Sequence, residues 1–197
     1  YQFGMVQGKT TKEIEQNAVR VADVLAKSAN SSNSNVEELG QAMKYCGVQA
    51  NQMSIPIEEV GVALGVLANN GLSGSQAGTA LRRMFTQLAK PTKNAKKAIK
   101  DYQLESAIAK IQSGNLTEGL KEMSEKFLSI EDGAERTALA FNLVGQYGMT
   151  GLMALLSSGA KGFDDMTEAI NESATASQTA EAYMQTLEGA MFRFTSM

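Results

Sequence analysis

The chain has no histidine, no tryptophan, one cysteine and two prolines in 197 residues. The lack of histidine removes the commonest general base and the commonest metal ligand. A lone cysteine, Cys46, excludes an intramolecular disulfide and a cysteine-rich zinc site. In "AMKYCGVQA" it falls on the apolar side of a helical pattern, where a small core residue is expected. No secretory signal pattern is visible, and the longest apolar run, "VGVALGVLA" at 60–68, is too short to cross a bilayer. Alternating β-branched runs are missing as well, which leaves little from which to build a sheet.

What is present favours helix. Hydrophobic residues make up 43% and aromatics 6%, with Ala, Leu, Met, Glu, Lys and Gln prominent. The expectation is an all-α, compact multi-helix domain of roughly eight to ten short-to-medium helices. Thr10 or Thr11 caps a first helix whose stripe is Ile14, Ala18, Val21, Ala22, Leu25 and Ala29. "NSSNSN" breaks it, and Ser34 with Glu37 reads as a capping box for a second helix with Val36, Leu39, Met43, Cys46, Ala50 and Met53 inward. Pro56 suits the first turn of the third helix, where Gly61 and Gly65 suggest close backbone approach. Asn70-Gly71 stops it. Ser73 or Ser75 caps a fourth helix with Ala77, Leu81, Met84, Phe85 and Leu88 on one face, and Pro91 ends that helix.

Thr92 starts a lysine-rich fifth helix, and 104–112 and 117–128 read as two more. Ser129 with Asp132 caps a helix to about Val144, and "GQYGMTG" at 145–151 reads as a bend. Two short helices follow, then a last one from about Ser177 that continues downstream. The chain starts at Tyr1 and stops within a helical pattern, so 1–197 reads as a single helical segment of a longer protein, with a possible sub-boundary near 103–116.

Three readings compete for "GLSGSQAGTALRRM". A phosphate loop needs a strand before the glycines and a lysine after them, and neither is present. A DNA-reading helix–turn–helix has a shorter connection than Asn69 to Gly74. The third reading is a packing corner built on Gly71, Gly74, Gly78 and Pro91, and it requires no ligand. Charge keeps nucleic acid in view. From Val60 to Lys100 there are seven bases and no acid, which leaves −10 on the rest of a chain whose net charge is −3. Arg82, Arg83, Lys93, Lys96, Lys97 and Lys100 make up a candidate contact surface for phosphate, an acidic wall or another copy, or else a solvated helix face. Met191, Phe192 and Phe194 give the final segment an apolar face for other chains or for downstream sequence. Six methionines, Met43, Met53, Met84, Met123, Met149 and Met153, fall on apolar faces, either as core filler or as a surface able to repack.

The ordered set Asp23, Tyr45, Gly47, Leu67, Asn69, Gly71, Gly74, Ala77, Gly78, Thr79, Leu81, Arg82, Leu88 and Pro91 resembles the core region of phage tail tape measure proteins. "ALAFNLVGQYGMTGLMALLSSG" is similar to the later part of that region, with Val144-Gly145 where Phe-Gly is usual. Residues 98–116 depart from the pattern, with no Leu-Gly-Ile after Tyr102. The resemblance implies a scaffold in the tail lumen, and in the host cytoplasm during assembly, that sets tail length and aids genome delivery. Its implied partners are other copies, tail tube, tail tip or baseplate proteins and assembly chaperones, with transient contact to DNA or host membrane through the whole chain. It implies no cofactor, metal or small-molecule substrate. Some members carry wall hydrolases, so Glu105-Ser106 and Glu172-Ser173 need checking against a lysozyme-type acid. Neither has aromatic, glycine-containing surroundings, and the segment reads as non-enzymatic.

Overall fold

The computed structural model describes residues 10–173 together with Gln178, and these residues contain ten α-helices and no strand. In order they are α1 (Thr11–Asn30), α2 (Val36–Gln52), α3 (Ile57–Asn69), α4 (Gly74–Ala89), α5 (Lys93–Asp101), α6 (Glu105–Gln112), α7 (Leu116–Leu128), α8 (Gly133–Val144), α9 (Gln146–Ser157) and α10 (Gly159–Glu172).

α3 is the centre. Every residue from Val60 to Ala68 is buried; a helix apolar all round belongs inside a bundle. α1, α2, α7, α9 and α10 pack around it, and α2 with α4 form the most extensive helix pair. One apolar cluster joins residues from α1 through α10, with Phe85, Phe127 and Phe163 its largest fully buried side chains. Met43, Met53, Met84 and Met123 are buried in it, and Met149 and Met153 pack on it partly buried.

Caps explain most boundaries, and several differ from expectation by one residue. Thr10 makes a capping box with Glu13. At α2 the cap is Asn35, whose side chain accepts from the Glu38 amide at 2.9 Å. Ser34 instead donates to the Glu38 carboxylate at 3.0 Å, because Asn35 already fills the amide site. Pro56 stands at the N-cap of α3, one position before the helix. Asp132 alone caps α8, accepting from Ala134 at 2.8 Å, while Ser129 ends α7. The expected bend at 145–151 shrinks to Gly145, whose φ of +72° reverses the chain in one residue, so α9 starts at once.

Two faces also need correcting. α1 buries Val24, Ala26 and Ser28, whereas Ala18 and Ala22 are exposed and Val21, Leu25 and Ala29 are partly buried. Val36 is 50% exposed, because it opens α2 before that helix reaches the core. The helix expected from Ser177, with Met191, Phe192 and Phe194, lies outside the described residues.

Candidate interaction surface

The glycine-rich stretch is a helix corner. Asn70 ends α3, and Gly71 takes φ +79° in open space. Ser73 then opens α4, and Gly74 takes φ +53°. Gly78 faces the backbone of Ala42 on α2, so a Cβ there would collide with the Ala42 carbonyl oxygen and come within 2.8 Å of its Cα. Backbone contact of this kind is open only to glycine. The neighbour that it admits is α2. Gly61 and Gly65 behave differently: they make room for side chains, Ser28 and Val24 at one and Met166 at the other. Asn69 and Asn70 tie the corner to the body. Asn69 Oδ1 accepts from the Asn33 amide at 2.9 Å, and Asn70 Nδ2 donates to Ser158 Oγ at 2.9 Å. Pro91 sits half-buried one residue past Lys90, the C-cap of α4.

α5 carries the basic stripe. Thr92 caps it by accepting from the Ala95 amide at 3.2 Å. Ala95, Ala98 and Ile99 are buried, and α5 packs mainly on α8. Lys93, Lys96, Lys97 and Lys100 then fall at i, i+3, i+4 and i+7, one exposed face opposite the buried one. None of the four forms an ion pair among the described residues. The arginines belong to another setting: Arg82 is half-buried on α4, and the Arg83 guanidinium stands 5.5 Å over the Tyr147 ring of α9. The structure thus brings the four lysines together and engages Arg83 elsewhere.

A cleft of about 570 Å³ lies among α1, α3, α7 and α10, and was not foreseen from sequence. Two of its cations, Arg20 and Lys121, are paired with carboxylates across it. Arg20 holds Glu58 through two hydrogen bonds, at 2.5 and 2.6 Å. That pairing keeps Glu58 below the usual carboxylate range and raises Arg20. Lys121 reaches Glu118 at 2.9 Å and Asp164 at 2.7 Å. Glu59 accepts from the Thr117 amide at 2.6 Å, placing a carboxylate of α3 on the N-terminus of α7. A catalytic acid would need a raised carboxyl, the opposite of Glu58. The Glu-Ser pairs lie outside this cleft. Glu105 is exposed at the start of α6 while Ser106 donates to Glu122 at 3.1 Å. Glu172 is exposed at the end of α10, and Ser173 donates to the Ala169 carbonyl at 2.8 Å. No signal of spacing marks the cleft in sequence, because its residues come from four separated helices.

A family profile described as phage-related minor tail protein matches residues 2–145. A tape measure protein of Pneumococcus phage Dp-1 is 33% identical over 174 residues, covering 86% of this chain and 15% of that protein. A probable tape measure protein of Escherichia phage P2 is 26% identical over 155 residues, 78% of this chain and 19% of the relative. The chain therefore spans under a fifth of the length of either relative. No solved structure matches it. The match over most of the chain, on a helical body with a glycine corner at its centre, places the chain in the phage-related minor tail protein family.

Proposed function

We propose that this chain is a compact helical domain of a tail tape measure protein, working by assembly contacts and not by turnover. The parent protein would set tail length and scaffold the tube, with long helical regions gaining about 1.5 Å per residue, and would help deliver the genome through the host envelope. The present body, cut into helices of 8 to 20 residues, suits an anchor attached to such a rod. Its partners in this reading are other copies, tube, tip or baseplate proteins and the assembly chaperone. It acts in the tail lumen and, before that, in the host cytoplasm.

The observation that carries the reading is the α5 stripe: four lysines on one exposed face, unpaired among the described residues. Replacing Lys93, Lys96, Lys97 and Lys100 together with glutamate in the phage should reduce assembled tails at least tenfold by electron microscopy, with the domain still folded by circular dichroism. Normal tail yield and length would remove the stripe from assembly.

The same stripe supports a second reading, contact with nucleic acid, because exposed cations release counterions on meeting phosphate. Anisotropy with duplex and single-stranded DNA across a salt series separates the two. Affinity that falls steeply with salt and vanishes in the glutamate variant favours nucleic acid, and no binding at 50 mM salt removes it.

A further inference from the structure

Among the described residues, the two most exposed aromatic side chains are Tyr147, at 73%, and Phe141, at 51%. They flank one joint. Phe141 lies in the last turn of α8, Gly145 links the helices, and Tyr147 lies in the first turn of α9. Neither ring fills the core. Tyr147 is nonetheless held: the Arg83 guanidinium of α4 stands 5.5 Å over its ring, a cation–π contact that occupies one face and leaves the other open.

Arg83 also heads a line of cations. Arg83 and Lys90 are both exposed, seven residues and so about 10 Å apart on one side of α4. Only Pro91 and Thr92 separate Lys90 from Lys93, a span of at most about 11 Å. The α5 stripe continues the line to Lys100. Lys90, like the four lysines of α5, forms no ion pair among the described residues. α8, which bears Phe141, packs on α4, α5 and α9, so the second ring belongs to a helix running alongside the line. The only acids on these four helices are Asp101 and Glu135, and Glu135 accepts from the Tyr102 hydroxyl at 2.6 Å. The charge of the face stays positive.

We infer that this face takes a single-stranded nucleic acid, with phosphates along Arg83, Lys90 and the α5 lysines and bases stacked on Tyr147 and Phe141. The inference rests on the nucleic-acid reading given above and narrows it to the single strand. A duplex keeps its base faces stacked inside, so open rings gain nothing from it. An acidic protein surface offers charge without bases. A single strand presents phosphates and bare ring faces together, and a basic track with exposed aromatics matches both. Arg83 joins the two parts, since it carries charge and fixes the Tyr147 ring.

Fluorescence anisotropy of the 197-residue chain tests this with three probes of equal phosphate count: oligo-dT of about 16 nucleotides, the same backbone carrying abasic sites, and a blunt duplex. Oligo-dT should bind at least tenfold tighter than either of the others. Tyr147→Ala with Phe141→Ala should bring it to the abasic level and leave its salt slope unchanged. Lys93→Gln with Lys97→Gln should instead make the slope shallower by about 1.4 and keep the preference for bases. The chain has no tryptophan, so Tyr147→Trp supplies a single reporter that retains a ring. Its emission should fall on adding oligo-dT and hold steady on adding the abasic strand. An unquenched reporter on a strand that still binds would overturn the stacking. Equal affinity for oligo-dT and the abasic strand, or for the duplex, would sink the single-strand inference while the nucleic-acid reading stood. No binding of any probe at 50 mM salt would remove both, and a preference for poly-glutamate would give the face to an acidic protein.

Discussion

Two helix crossings each place a glycine at the contact, and they differ in what the glycine meets. At α2–α4, Gly78 faces the backbone of Ala42. At α1–α3, Gly61 faces side chains, with Ser28 Oγ 2.7 Å and Val24 Cγ1 2.9 Å from where a Cβ would stand. A side chain can change rotamer or be shortened, at some cost; a backbone fixed on both sides by helix cannot. The first crossing is therefore a rigid joint, and the second is adjustable. Ser28 adds to the contrast, being fully buried with no hydrogen-bond partner for its hydroxyl oxygen among the described residues. The tight joint lies on the glycine-rich corner; the loose one holds α1, whose outer half buries no residue.

The comparison breaks most visibly at Gly78. Gly78→Ala should cost about 3 kcal/mol, because the new methyl can be accommodated only by prising α2 from α4. Gly40, inside α2 on the other side of that joint and with nothing within 4 Å, is the control, and Gly40→Ala should gain up to about 1 kcal/mol from helix propensity. Urea denaturation of both variants decides the matter; equal effects would end the distinction. Cys46 offers a local probe of the same joint. It is fully buried and burial pushes its thiol up to about 12, so a thiol reagent at neutral pH reaches it only when α2 lifts. Labelling should be at least tenfold faster in Gly78→Ala than in Gly40→Ala.

At the adjustable crossing the effects are smaller and coupled. Ser28→Ala should stabilise by roughly 1 kcal/mol, since it removes a buried hydroxyl that has lost water and gained nothing. Gly61→Ala alone should destabilise by about 1–2 kcal/mol, because a Cβ placed 2.7 Å from Ser28 Oγ and 2.9 Å from Val24 Cγ1 crowds two short side chains by more than helix propensity returns. The double variant should exceed the sum of the singles, because the oxygen nearest the new methyl is gone. Additivity in a denaturation cycle would show that Ser28 is not what limits the approach.

The smallest effect belongs to pH. Glu58 is held low by Arg20, so its contribution is present above the ordinary carboxylate range and is lost as pH falls through the lowered value. Both groups are about half exposed, which limits the pair to roughly 0.5 kcal/mol. Glu58→Gln should flatten this part of the stability curve below pH 5 and leave the curve above pH 7 parallel to that of the parent.

Much of the fold was legible from residue type. Caps such as Thr10, Thr92 and Asp132, the stop at Asn70-Gly71 and the inward faces of α2 and α4 follow from side-chain chemistry acting within one turn of helix. So does the α5 stripe, since four lysines at helical spacing share a face wherever that helix lies. The bend at 145–151 was overdrawn because Gly148 and Gly151 suggest flexibility in sequence. In the structure both are buried helical contacts, Gly151 against the Ala80 methyl. The face of α1 was misread because Ser28 counts as polar until Gly61 makes a pocket for it.

By itself, then, the sequence determined an all-helical chain, the start and stop of most helices, the separation of a basic middle from acidic flanks, and the likeness to tail proteins. These rest on interactions between residues a few positions apart, and on order along the chain. Tertiary structure alone decided that Gly78 rather than Gly61 admits a backbone, that Glu59 caps α7, that Arg83 lies on Tyr147, and that Arg20 meets Glu58 in the cleft. Each depends on residues far apart in the chain meeting at a few ångströms, and no local periodicity encodes such meetings.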